Sequence, residues 1–256
     1  MKIQNKKKKS SVSGFIVRLL VYIIGLLIIT IGINISKLSS LGISPVSSIP
    51  AVLAGIIPDV SLGNMVIVVY CVLVLAQFIV LRKKFKWKNI LGVPVALIFG
   101  LMVDFTGVAA YNIKIGTIDL GIPYTFNGLL INFPKPSGIV MQFVYLFASM
   151  IIIGIGVFIY LRPKLVPMPA EGLAAALSEV SSKPFGNCKT LVDVSLIVIA
   201  LVLQVIFLGG FGSLWIGKGI VGIGTILAAV LVGQIVKLLS KLCGKQFDKL
   251  LERIAA

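Results

Sequence analysis

The chain has 256 residues, of which 58% are hydrophobic and only 12% charged, and it carries 24 Lys and Arg against 8 Asp and Glu. With about a quarter of residues charged in an ordinary soluble domain, and with several apolar runs near the ~20 residues that cross a bilayer, a soluble globular protein is excluded. The net charge of +16 flanks the apolar runs and has no aromatic-interleaved basic patch, so it reads as membrane topology and contact with anionic lipid rather than nucleic-acid binding.

The N-terminal cluster Lys6, Lys7, Lys8 and Lys9 precedes a first span over residues 14–35. The run is long for a signal peptide and lacks a small-residue cleavage site, which predicts a retained span. A Ser/Gly-rich connection leads to a short helix over residues 45–57, too short to cross, with Pro45 in its first turn, where the missing N–H has no intrahelical partner to lose. Span two covers 62–81 and is closed by the basic run 82–88. Span three covers 90–110. A polar connection rich in Gly and Pro, residues 111–137, is long for a structureless loop and predicts a small element of its own near 126–133.

The second half follows the same order. Span four covers 139–160. A connection then carries the Pro167, Met168, Pro169, Ala170, Glu171 and Gly172 segment, which opens a short helix over 169–180. Span five covers 191–208, a turn occupies 209–219, and span six covers 220–239. The tail 241–256 alternates apolar and basic residues at helical spacing, as in a helix on a membrane surface.

Sliding the first half by 124 positions places Leu41 on Leu165, Pro45 on Pro169, Ser47 on Glu171, Ser48 on Gly172 and Leu53 on Leu177, with Gly32 on Gly156 in the same register. The chain therefore reads as two copies of one unit, residues 1–110 and 138–240. All Lys and Arg except Lys37, Lys114, Lys135 and Lys218 fall in four connections that a six-span topology places on one side. The positive-inside bias makes that side the cytoplasm and puts both termini there. Three crossings per unit invert the second copy. The expected fold is an all-α membrane protein with six transmembrane helices in two inverted three-helix repeats, each with a re-entrant half-helix.

Charges inside membrane spans are costly and mark sites. Glu171 is the strongest such residue, read either as an acid favoured by the dipole of its helix start or as a carboxylate carried into the membrane. With Gly172 it forms one substrate-binding set, and Ser44, Ser47 and Ser48 on the other half-helix form the second, as caps or as hydroxyls for a ligand. Asp104 and Asp193 are candidates for ion coupling. Asp104 reads equally as an acid at a helix end. Asn64, Gln77 and Gln204 are intramembrane polar residues, the two glutamines reading as interhelical hydrogen-bond formers worth about 1 kcal/mol each.

No histidine is present, and Cys71, Cys188 and Cys243 lie far apart without metal-ligand spacing. With no nucleophile–base pair and no phosphate-loop motif, neither an enzyme nor a cofactor or metal site is expected. The pairing of residues 41–45 with 165–173, together with the segment 94–104, resembles the YczE/YyaS/YitT-like bacterial membrane proteins, in the short form without a soluble C-terminal domain. That resemblance implies a bacterial inner-membrane protein and supplies no established site residues.

Inverted repeats with broken helices recur in secondary transporters, with substrate near the midplane. The expected function is a permease for a small anionic or zwitterionic solute. The alternatives are a membrane partner or substrate-capture subunit that does not itself transport, and a lipid translocator. Expected partners are the bilayer, the solute, and another membrane protein or further copies of the chain.

Overall fold

The structure is a computed structural model. It describes residues 12–57, 59–107, 110–112, 114–115, 118–119, 125–130, 132–209 and 220–254. The Lys6–Lys9 cluster and most of the 209–219 turn lie outside the described residues.

Nine helices carry the described fold: α1 (Val12–Ser39), α2 (Pro45–Ile56), α3 (Leu62–Leu81), α4 (Trp87–Ile90), α5 (Gly92–Phe105), α6 (Ile139–Leu161), α7 (Pro169–Ser181), α8 (Phe185–Phe207) and α9 (Ile223–Ile254). Six helical segments are long and apolar enough to cross a membrane, with α4 and α5 together supplying the third. The chain is a multi-pass helical membrane protein. Within 110–127, two small antiparallel ladders pair Ala110–Asn112 with Thr125–Asn127 and Lys114–Ile115 with Ile118–Asp119. The connection thus holds an element, which begins earlier than expected and whose last strand, Thr125–Asn127, overlaps the start of 126–133.

Local sequence sets the helix ends. Pro45 and Pro169 each open a short helix from its first turn, and Ser61 caps α3 by accepting a hydrogen bond from the Asn64 N–H. Helix α8 begins at Phe185 rather than at 191, because Pro184 at its N-cap starts the helix ahead of the apolar run. The sixth span and the tail form one helix, since the pattern from Ile223 to Ile254 holds neither Pro nor a capping break.

The central contact is between α1 and α6, which run antiparallel. A Cβ on Gly25 would lie 2.6 Å from Tyr160, one on Gly32 2.6 Å from Ile153, and one on Gly156 2.7 Å from Ile29. Small residues are what allow such an approach, because in lipid close van der Waals packing holds helices together. Around this pair each short helix crosses to the other half of the chain. Helix α2 packs on α8 and α7 packs on α3. The main core joins Leu26, Ile29 and Ile33 of α1 to Val66 and Tyr70 of α3, Phe99 of α5, and Met168, Ala170 and Ala174 around α7. The aromatic centre of that core is a stacked Tyr70–Phe99 pair with ring centroids 5.6 Å apart.

At the C-terminal end of α6, Arg162 pairs with Asp248 at 2.9 Å and lies over the Phe158 ring, 4.6 Å from its centroid. Phe247 meets Phe158 edge to face. These contacts tie the far end of α9 to the end of α6.

Candidate functional site

An interior cavity of about 500 Å³ is walled by α1, α2, α3, α5, α6, α7, α8 and α9. Its lining is largely apolar, from residues such as Ile33, Tyr70, Phe99, Ile153 and Val232, and its polar groups are few: Ser44, Ser47, Glu171, Lys189, Thr190 and Asp193. An apolar pocket of this size with a few converging polar groups suits a small-molecule site.

Both short helices present their N-terminal turns to this one cavity, Ser44 to Ser47 from α2 and Met168 to Glu171 from α7. Neither N-terminus has a side-chain cap, and with Pro45 and Pro169 in the first turns each offers one N–H fewer than an ordinary helix start. The Ser44 and Ser47 hydroxyls hydrogen-bond each other at 3.1 Å, and the Ser47 N–H donates to the Ser44 carbonyl at 3.0 Å. Uncapped N–H groups carry the positive end of the helix dipole and suit an anionic group.

Glu171 sits in the first turn of α7. Among the described residues its buried Oε2 has no hydrogen-bond partner. The Met168 backbone N–H faces the other part of this carboxylate, and Lys189 and Asp193 are charged groups that act on it. Lys189 and Asp193, one helical turn apart on α8, form an ion pair with each other. Desolvated carboxylates require compensation, and an unmatched oxygen is a costly group to keep.

The residues singled out from sequence divide into two groups. Ser44, Ser47, Glu171 and Asp193 converge on the cavity, while Ser48, Gly172, Asn64, Gln77, Asp104 and Gln204 do not line it. The Ser48 hydroxyl donates to the Pro45 carbonyl at 2.6 Å, within its own helix turn. Gly172 makes room for Gln77, whose amide a Cβ there would meet at 2.8 Å. Gln77 in turn donates to the Pro169 carbonyl at 2.9 Å and anchors the start of α7 to α3.

Asp104 closes the N-terminus of α3. Its Oδ1 accepts from the Gly63 N–H at 2.7 Å and its Oδ2 from the Ser61 hydroxyl at 2.5 Å. It sits beside a second junction, where the Asn34 amide donates to the Val103 carbonyl at 2.9 Å and to the Thr106 hydroxyl at 3.0 Å. Asn64 is buried there too, and its Oδ1 has no partner among the described residues. Gln204 holds the segment before α9. Its amide donates to the Val221 carbonyl at 3.0 Å, and its Oε1 accepts from the N–H groups of Ile220 and Val221 at 2.9 and 2.7 Å.

Lys189 is the cavity residue that topology arguments from sequence hide, because it counts there as one more flanking cation. The signal available was its spacing of four from Asp193, which puts both side chains on one helix face. Tyr70 and Phe99 carry no such signal, being apolar-span aromatics until the helices pack.

The fold and cavity thus define a polytopic helical membrane protein with a solute-sized interior site. The chain belongs to the family described as a family of unknown function, DUF6198, which it matches over residues 16–241. It is also 27% identical over 229 residues, 88% of this chain and 94% of the relative, to the uncharacterized protein YyaS of Bacillus subtilis (strain 168). No solved structure matches the chain.

Proposed function

We propose that the protein is a permease for a small zwitterionic solute, bound in this cavity and released to either side in turn. The observation that carries the reading is the meeting of two half-helix N-termini, one from each half of the chain, in a single cavity that also holds the Glu171 carboxylate. A solute amine would match Glu171, and a solute carboxylate or phosphate would match the free N–H groups of α2 and α7. The exchange of α2 onto α8 and α7 onto α3 supports two units related by inversion, the arrangement on which rocking between two access states depends.

In this reading the bundle end carrying Arg82, Arg162 and Lys237 faces the cytoplasm of a bacterial plasma membrane, where the positive-inside bias puts it. Cys243, exposed near that end, then reacts with a membrane-impermeant maleimide only after vesicles of cytoplasm-in orientation are opened. Labelling before opening would reverse the topology.

The transport test uses purified full-length chain in proteoliposomes. Zwitterionic metabolites that raise the melting temperature of the wild type are offered as labelled solutes, with Glu171→Gln alongside. Uptake by the wild type that falls at least ten-fold in the variant, the low end of the loss expected of one close charge contact, supports the permease. Stabilising ligands that never cross the bilayer would replace it with the capture-subunit reading.

A further inference from the structure

The cavity wall is not equally closed on all sides. Helices α8 and α9 are consecutive, yet their backbones make few close approaches among the described residues, and both line the cavity: Phe185, Lys189, Thr190 and Asp193 from α8, and Val232, Gly233 and Val236 from α9. Toward the other end of these helices α2 fills the space, with Val52 joining Ile197, Ala200 and Ala229 in one apolar cluster. The gap therefore lies on the half that carries Lys189 and Val236.

Gly233 lies on the α9 part of this wall. A Cβ on Gly25, Gly32, Gly63, Gly100, Gly154 or Gly156 would come within 2.7 Å of a neighbouring atom, so each of these glycines serves a close helix contact. A Cβ on Gly233 meets nothing within 4 Å. The residue is exposed although it stands on the cavity wall. Phe185, Val194, Val198, Val230 and Leu238, on the two helices that border the gap, are all about half exposed or more. In a bilayer such a surface faces acyl chains, so an opening between these two helices would lead into lipid.

What lies beyond the opening has the two ends of an amphipath. The apolar walls continue from the bilayer inward, and the charged groups stand together: the unmatched Glu171 oxygen and the Lys189–Asp193 pair. One cation, Lys189, stands against two carboxylates, Glu171 and Asp193, so the unmet demand is for a further cation. The nearby free N–H groups of α2 and α7 then suit an anionic group attached to that cation.

We propose that the cavity receives, through the gap between α8 and α9, the headgroup of a membrane lipid bearing a primary amine next to a phosphate, with its tails left in the bilayer. This rests on the solute-carrying reading of the same site and names its ligand class. A soluble phosphoamine offers the same headgroup chemistry from the aqueous side, and the experiment separates the two sources.

The full-length chain is made with p-benzoylphenylalanine in place of Ala175, which lines the cavity on α7, and reconstituted into vesicles of equal phosphatidylethanolamine and phosphatidylglycerol. A second preparation carries the same group in place of Leu75, an exposed residue of α3. Irradiation followed by intact-mass measurement reads which lipid is attached. The expected result is an ethanolamine-to-glycerol adduct ratio at position 175 at least ten-fold above that at position 75, the low end of the factor for one matched charge contact. Glu171→Gln brings the two ratios together, and Gly233→Trp removes the adduct at 175 while sparing the one at 75.

Absence of lipid adducts at 175 in the Glu171-intact protein overturns lateral access. Adducts at the same ratio as position 75 overturn amine selection. A third arm adds soluble phosphoethanolamine and measures its uptake. Uptake without any lipid adduct at 175 keeps the permease and removes the lipid, whereas a selective adduct without uptake of any soluble solute does the reverse.

Discussion

Helices α3 and α5 and helices α8 and α9 hold corresponding places in the element order, yet they pack in opposite ways. The first pair is closed. A Cβ on Gly63 would lie 2.1 Å from the Gly100 carbonyl, and one on Gly100 2.4 Å from Ile67, so the two backbones nearly touch. Asp104 then bridges from α5 to the N–H of Gly63 and the hydroxyl of Ser61. The second pair has no such seam, and Gly233 on its α9 side faces open space. Hydropathy does not separate the pairs, because all four helices are apolar. Bilayer lipid solvates an apolar helix as well as another helix does, so only close packing and polar bonds across the interface hold two helices together. The pair that has both is sealed, and the pair that has neither leaves the cavity a side opening.

The sharpest way to break this contrast is the same substitution at both glycines. Gly100→Leu drives a side chain into the Gly63 carbonyl and the Ile67 side chain, which have no room to yield. It should cost at least the roughly 1–3 kcal/mol of overpacking, seen as a drop in melting temperature or loss of a monodisperse detergent-solubilised peak. Gly233→Leu should leave the melting temperature unchanged or raise it slightly through helix propensity. Equal damage at both sites would mean that α8 and α9 are packed after all.

Next in size is Asp104→Ala. It strands the Gly63 N–H and the Ser61 hydroxyl at a buried helix start, a loss of about 1–3 kcal/mol. Asp104→Asn, which keeps one acceptor, should recover part of it. A thermal series of the three proteins checks this, and full ligand response in Asp104→Asn would place the residue in the scaffold rather than in ion coupling.

Glu171→Gln should act the other way round. Removing a buried charge with an unmatched oxygen should leave stability unchanged or raise it, while stabilisation by an amine-bearing ligand falls at least ten-fold in apparent affinity. A variant that unfolds before it loses ligand would make Glu171 a capping residue of α7.

The smallest effects concern single residues at the edges of α9. Gly233→Ala should gain up to about 1 kcal/mol from helix propensity, since the added methyl meets nothing. Arg162→Ala removes a half-exposed ion pair and a stacked ring, together worth about 1 kcal/mol. It should be visible chiefly as faster amide exchange over 244–254, with the rest of the bundle unaffected.

How far the site could be read in advance follows from what each residue depends on. Glu171 and Ser44 were legible because proline at a helix start, followed by a polar residue where an apolar run is expected, has a local cause. Asp193 was legible for the same reason, as a charge within a span. The division between Asp193, which reaches the cavity, and Asp104, which does not, depended on which helix faces which. No spacing along one segment carries that information.

Length, hydropathy and the placement of Lys and Arg determined the membrane class, six long helices and two short ones, because each depends on a stretch of chain meeting a bilayer of fixed thickness. Tertiary structure decided that α2 and α7 cross to opposite halves and bring their N-termini into one cavity. It also decided that Gln77 anchors the start of α7, that Gln204 anchors the segment before α9 and that Lys189 joins the site. The reason is that helix pairing in lipid is chosen by close contacts between residues far apart in sequence, such as Gly25 with Tyr160 and Gly63 with Gly100, and hydropathy is blind to them.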